Sequence, residues 1–240
     1  MVDHPIFKKI LNHNKKYRLK FDSETHTYTI LDDVVLCSVT TRLKSFFPFD
    51  AEKVAMKVAD FKGIPYKMVL EDWKRIKENG THTHSLAEKL CNGNKLCAEE
   101  LSKVKHVVQF LEDHPHFEIL GCEVIIFSKK YKVAGTVDIM LSNKEDNNLY
   151  ILDWKTSSKE IEKDQYWEMA KGVLSDIPHN KFHNYSMQIS IYMMILKEEY
   201  GIEVYNGLLV HLRDNMTYRV IEPTDLLMYV QEVLINAYKA

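Results

Sequence analysis

The chain lacks any stretch approaching the roughly 18 uninterrupted apolar residues of a membrane span. Its first residues lack the apolar core of a signal peptide, and Asp3 with sparse Arg and Ser argues against a transit peptide. The expectation is an intracellular protein of a reducing compartment (cytoplasm of a bacterial or viral host, or nucleus), not a secreted one. Cysteine is scarce: Cys37, Cys91, Cys97 and Cys122 form no CxxC pair and none follows Cys122. That excludes a disulfide framework or a zinc ribbon and leaves free thiols. Charge of either sign is not in surplus, with 32 Lys and Arg against 34 Asp and Glu, so no global attraction to nucleic acid exists. Internal repeats, low-complexity tracts and flexible linkers are also missing. The 240 residues are expected to form a single domain, 1–240, long enough for a sizeable core.

What is present reads as mixed strand and helix. Residues 24–31 and 33–40 form a hairpin turning at Asp32-Asp33. From Asp50 the pattern is helical, breaks at Gly63-Ile64-Pro65, resumes and ends at Asn79-Gly80. Thr81 is then the N-cap of a new helix stopping near Asn92-Gly93, and a further helix covers about 96–113. Strands follow at 118–128, 131–141 and 149–156. A polar insertion at 157–183 with two short helical pieces precedes an amphipathic helix at 184–200, strands at 203–211 and 216–221, and a last helix at 224–238. Strands and helices share the middle of the chain, which implies an α/β or α+β architecture with 50–80 as a helical lobe.

The most informative stretch is Gly135-Thr136-Val137-Asp138, followed by Leu152-Asp153-Trp154-Lys155-Thr156. Side chains alternate along a strand, so Asp153 and Lys155 share a face. A turn centred near Glu145 or Asp146 brings Asp138 back beside Asp153. Neighbouring positions in both strands are apolar, and charges in such surroundings need partners. Two converging carboxylates with an ammonium beside them suit a hard divalent cation and the activation of water next to a phosphodiester. Upstream, His84 and Glu88 project from one helical face; taken alone they read as a surface His–Glu pair. Gln188 and Tyr192 repeat that spacing, and taken alone they read as a core-edge tyrosine with a neighbouring amide. Two local basic patches stand out for phosphate: Lys8, Lys9, Lys15, Lys16, Arg18 and Lys20, and Lys129, Lys130 and Lys132.

The chain order is Gly80-Thr81-x-x-His84-x-x-x-Glu88, Gly135-Thr136-x-Asp138, Asp153-x-Lys155-Thr156, then Gln188-x-x-x-Tyr192. It resembles the RecB-type branch of the PD-(D/E)XK nuclease superfamily, and within it the mitochondrial genome maintenance exonucleases and related phage and viral exonucleases. The likeness spans roughly residues 80–195. It extends more loosely to the strand from His26 to Tyr28, to Ser38-Val39-Thr40 and to Trp73.

The resemblance implies a restriction-endonuclease-like α/β core, a central mixed sheet flanked by helices, with an N-terminal hairpin and helical lobe. It implies Mg²⁺ or Mn²⁺ bound by His84, Asp138, Asp153 and the Trp154 carbonyl, with Lys155 as the catalytic lysine. Glu88, Glu123, Gln188, Tyr192 and Thr156 would support the site, and Lys129, Lys130 and Tyr192 would meet nucleic acid. Relatives with an iron–sulfur cluster use three cysteines near the C-terminus, so no cluster is expected here. The expected activity is a metal-dependent deoxyribonuclease, foremost an exonuclease on single strands or DNA ends. A metal-dependent RNA endonuclease and a catalytically silent DNA-binding subunit are the alternatives. The aromatics Phe46, Phe47, Phe61, Tyr66 and Trp73 are candidates for an arch on which bases stack, or for helix-packing core.

Overall fold

The computed structural model describes residues 4–25 and 27–236. Helix α1 (Pro5–Lys16) is followed by β1 (Lys20–Asp22), β2 (Thr27–Ile30), β3 (Val34–Ser38) and the short α2 (Val39–Leu43). Helices α3 (Ala51–Lys62), α4 (Tyr66–Cys91), α5 (Ala98–Lys103) and α6 (Lys105–Asp113) come next. Strands β4 (Phe117–Ser128), β5 (Val133–Asn143) and β6 (Leu149–Thr156) then form an antiparallel meander. Helix α7 (Lys181–Tyr200) crosses over to β7 (Asn206–Leu212), which runs parallel to β6, and β8 (Tyr218–Ile221) and α8 (Leu227–Asn236) complete the chain.

The result is one mixed sheet of eight strands flanked by helices. Alternation along β6 assigns its two faces. Ile151 joins the large apolar cluster built with α1, α2, α7 and α8, whereas Leu152 and Trp154 join the cluster under α4 and α6. Trp154 lies edge-on to Phe110 of α6, with ring centres 5.3 Å apart. A buried aromatic pair of this kind adds roughly 0.5–1.5 kcal/mol beyond the area it buries.

The feature that positions the site is a fork beside β5. One edge of β5 is occupied by β4 along its whole length, from Val133 to Asn143. Its other edge is shared: β6 pairs with Ile139 to Ser142, and β3 runs parallel to Val133 and Ala134. Between these pairings, residues 135–138 face the gap where β3 and β6 diverge. Backbone groups freed at such a fork need other partners, and side chains there have room to converge.

Several sequence expectations are corrected. Residues 66–91 are one continuous helix, so Thr81 is no N-cap, and its hydroxyl donates to the Lys77 carbonyl within the helix. Gly80 costs a helix interior about 1 kcal/mol, but its reason is contact: a Cβ there would lie 2.6 Å from Thr156 Oγ1. The helix expected at about 96–113 is divided at Val104. The insertion holds one 3₁₀ turn, Gly172–Leu174, and a bridge between Met169 and Pro178 in place of two helical pieces.

The N-terminal basic run is mostly an amphipathic helix, α1, with Phe7 and Ile10 turned into the core. Lys9 donates to the Gly201 carbonyl that ends α7, while Arg18 and Lys20 pair with Asp32. Of the proposed arch aromatics, Phe46 and Phe47 are core residues. Trp73 packs against Phe49 and the small separate cluster of Ala55, Ala59 and Val69, which holds α3 to α4. Phe61 is 91% exposed and Tyr66 is also exposed. Among the described residues no helix is long and apolar enough to cross a membrane.

Candidate active site

A row of three carboxylates crosses the sheet at the fork. Asp138 and Asp153 are the next pair beyond Ile139 and Leu152 in the β5–β6 register. On the other side, Cys122 and Val124 pair with Ile139 and Val137, which sets Glu123 opposite Asp138. That alignment depends on the register shift between Ile119 and Gly121. Without the extra residue, Cys122 would face Asp138 and Glu123 would turn to the other side of the sheet. Glu123 also adopts φ of 49°, a left-handed conformation rare for a side-chain-bearing residue and held here by paired strand on both sides.

Helix α4 lays His84 over this row. His84 Nδ1 lies 3.3 Å from Asp138 Oδ2, and the same oxygen accepts the Trp154 N–H at 2.8 Å. The strand amide freed at the fork therefore finds its partner in the carboxylate. Donor atoms of His84, Glu123 and Asp138 all lie within 4.8 Å of one another. Glu88, one turn beyond His84, adds to the negative field on Glu123. The Gly80–Thr156 contact brings α4 close enough to β6 for His84 to reach Asp138.

Asp153 and Lys155 share a face of β6, as alternation requires, and form an ion pair. Gln188 of α7 ties the group together. Its Nε2 donates to Asp153 Oδ1 (3.2 Å) and to the Tyr192 hydroxyl (3.0 Å), and its Oε1 accepts from Lys155 Nζ (3.2 Å). Lys155 Nζ also sits 4.2 Å from the centre of the Tyr185 ring, a residue that sequence reasoning missed. The signal was present, because 185, 188 and 192 lie on one helical face. Tyr192 is buried against Gly135, where a Cβ would come within 2.5 Å of its ring.

The electrostatics follow from crowding. Burial, reinforced by Asp153 and Glu123, pushes the Asp138 carboxyl well above the usual range. Burial also raises Glu123, to about 7, with help from Glu88 and Asp153. Burial lowers His84, which favours the neutral ring that binds metals. For Lys155, burial acts to lower its pKa, but Asp153, Tyr185 and Asp138 outweigh it and hold the ammonium charged. Crowded carboxylates beside a neutral imidazole fit a hard divalent cation, whose charge would relieve their repulsion.

His84, Glu123, Asp138, Asp153, Lys155, Gln188 and Tyr192 line a cleft of about 430 Å³. Its far wall is the N-terminal hairpin. Tyr28 bonds through its hydroxyl to Thr136 Oγ1 at 3.0 Å, and Ser38 caps α2 by accepting the Thr41 N–H. The sequence included Ser38 and Tyr28 only in the looser part of the family resemblance, with no place at the site; His26, named with them, lies outside the described residues. Lys129 and Lys130 are not in the cleft. They sit on the β4–β5 turn, where the Lys129 amide donates to Glu199 and the Lys130 ammonium lies 3.5 Å from Glu198.

A mixed sheet with carboxylates gathered at a fork, a helix histidine and an adjacent lysine defines a candidate metal-assisted phosphodiesterase centre. The sequence matches the model of the PD-(D/E)XK nuclease superfamily over residues 56–232, and the chain belongs to that superfamily. A search of the curated proteins returns no match. A solved structure described as "Crystal structure of SSO0001" aligns with 98% of this chain and 84% of its own, at 15% identity and a TM-score of 0.34. So distant a likeness says nothing about the chemistry of this site.

Proposed function

We propose that the chain is a Mg²⁺- or Mn²⁺-dependent deoxyribonuclease that shortens single strands or DNA ends. The observation that carries this reading is the aligned row Glu123, Asp138 and Asp153, with His84 above it and the charged Lys155 beside it. His84, Glu123 and Asp138 would hold the cation, joined by Asp153 and by the Trp154 carbonyl, which faces His84. A bound divalent ion supplies an acidified water and neutralises charge on the phosphate. Lys155 has its ammonium fixed by Asp153, Gln188 and the Tyr185 ring. As a compact point charge it is placed to orient the attacking water or to meet the charge developing on the phosphoryl oxygens. Gln188 holds Lys155 and Asp153 in one geometry, with Tyr192 behind it.

Preference for unpaired strands rests on the exposed aromatics. Phe61 and Tyr66 on the α3–α4 hairpin, and Trp167 in the insertion that follows Lys155, are open to water. Unpaired bases stack on such rings at roughly 1–3 kcal/mol each. The test is digestion of 5′- and 3′-labelled single strands, duplexes, closed circles and RNA with Mg²⁺ or Mn²⁺. Linear single-stranded DNA should shorten while closed circles survive. Rapid cutting of circles would refute action from an end, and cleavage confined to RNA would replace the substrate. No cleavage of any nucleic acid in either metal would leave a silent binding subunit.

A further inference from the structure

We propose that Lys181, backed by Lys159, holds a phosphate next to the scissile one on a single-stranded substrate. This assigns the substrate-binding direction of the site and rests on the nuclease reading above. Lys181 is the first residue of α7, and residues 181, 185, 188 and 192 share one face of that helix. The stripe leads from Tyr192 and Gln188, through the Tyr185 ring beneath Lys155, to Lys181, about 10 Å along the axis from Gln188.

The other end of the span is fixed by the strand. Ser157, two residues beyond Lys155, accepts a hydrogen bond from Lys181 Nζ at 2.9 Å and one from the Lys159 amide at 3.3 Å. Two residues of extended chain advance roughly 7 Å, comparable to the distance between neighbouring phosphates on an extended single strand.

The charges at this spot are unbalanced. Among the described residues, no carboxylate lies within ion-pair distance of Lys159 or Lys181. The carboxylates nearest in sequence are engaged elsewhere: Glu160 with Arg213 at 2.8 Å, and Glu162 with Arg219 at 3.0 Å. By contrast Lys155 of β6, packed against Tyr185 and Gln188 on the same helix face, has Asp153. Burial and the neighbouring Lys159 together lower the pKa of Lys181, as expected of like charges held together without an anion. A phosphodiester supplies that anion. The subsite takes any phosphate backbone and reads no base.

The test compares wild type with Lys181→Gln and Lys181→Arg in two assays. First, binding of a short oligothymidylate is measured in Ca²⁺ across a KCl series. Lys181→Gln should weaken binding on the order of tenfold. It should also reduce the slope of log K against log[KCl] by about 0.7, the value for one phosphate contact on a single strand. Lys181→Arg should keep the slope. Second, thymidine 5′-p-nitrophenyl phosphate, which carries only the scissile phosphodiester, should be turned over equally by wild type and Lys181→Gln, while KM for the oligonucleotide rises. An unchanged slope and KM in Lys181→Gln would overturn the subsite and leave the nuclease reading standing. Equal loss on the small substrate would also overturn it, because Lys181 would then support the site as a whole. A wild-type protein that neither binds nor cleaves would instead remove the nuclease reading itself.

Discussion

Replacing Glu123 with Gln should stabilise the metal-free protein at pH 8 and leave its stability unchanged near pH 4.5. The Glu123 carboxyl is raised to about 7, first by burial and then by Glu88 and Asp153. An acid raised in the folded state favours folding relative to its ionised form only while it stays protonated. Below about 4.5 it is protonated both folded and unfolded and contributes nothing to the difference. Between about 4.5 and 7 the unfolded chain ionises this group while the folded protein holds it protonated, so stability falls across that window and levels off above 7, where the folded protein carries a buried, repelled carboxylate. The full displacement corresponds to about 3 kcal/mol. Water reaches part of this open cleft, and screening reduces the figure to about 1–2 kcal/mol. At this chain length that is a Tm gain of about 2–8 °C for the variant. The assay is thermal unfolding in chelator from pH 4.5 to 8, repeated with Mn²⁺. Wild type should gain more from Mn²⁺ at pH 8 than the variant does, because the ion relieves the same repulsion. A variant equal to or less stable than wild type at pH 8 in chelator, with the same response to Mn²⁺, would refute the crowded-carboxylate reasoning.

Asp153→Ala and Lys155→Ala should each abolish cleavage while leaving the circular dichroism spectrum unchanged; the lysine variant should still bind Mn²⁺ by calorimetry, and normal turnover by either would sink their assignment. His84→Ala should impair cleavage severely and more in Mg²⁺ than in Mn²⁺, since Mn²⁺ binds nitrogen- and oxygen-donor sites more tightly and better survives losing one ligand. Rates matching wild type in both metals would leave His84 a structural partner of Asp138 and remove it from the metal site. Gly135→Ala should cost about 1–3 kcal/mol by forcing the Tyr192 ring from β5, and it should lower activity through Gln188. A urea midpoint equal to wild type would refute that contact. Ca²⁺ should compete with Mg²⁺ and inhibit, because it binds oxygen ligands in looser geometry; undiminished rates in excess Ca²⁺ would contradict a shared carboxylate site.

The meander was legible because its signals are local. The turn near Glu145 and period-two alternation set Asp138 against Asp153 and placed Lys155 on the shared face. Helical spacing paired His84 with Glu88 and Gln188 with Tyr192, but only their order along the chain, through the family resemblance, gave them a role at the site. What the sequence concealed depends on distant contacts. Gly80 reads as a helix end until Thr156 is placed against it, since propensity carries no information about a strand far along the chain. The place of Glu123 in the carboxylate row needed the one-residue shift after Ile119 and a positive φ, neither of which has a composition signature. Phe46 and Phe47 look like Phe61 in sequence, yet two are core and one is solvent-exposed. Lys129 and Lys130 formed the clearest basic run near the hairpin, but the Lys129 ammonium lies over the Tyr17 ring and that of Lys130 beside Glu198 at the end of α7. Lys181 stood out in no run at all.

Cleavage of an end-labelled single-stranded DNA by the purified chain, in Mg²⁺ and in chelator, beside Lys155→Ala tests the central claim most directly. Wild type should shorten the strand progressively in Mg²⁺, with no shortening in chelator or by the variant. Cleavage that persists in chelator, or that proceeds undiminished in Lys155→Ala, would contradict a metal-and-lysine phosphodiesterase centre.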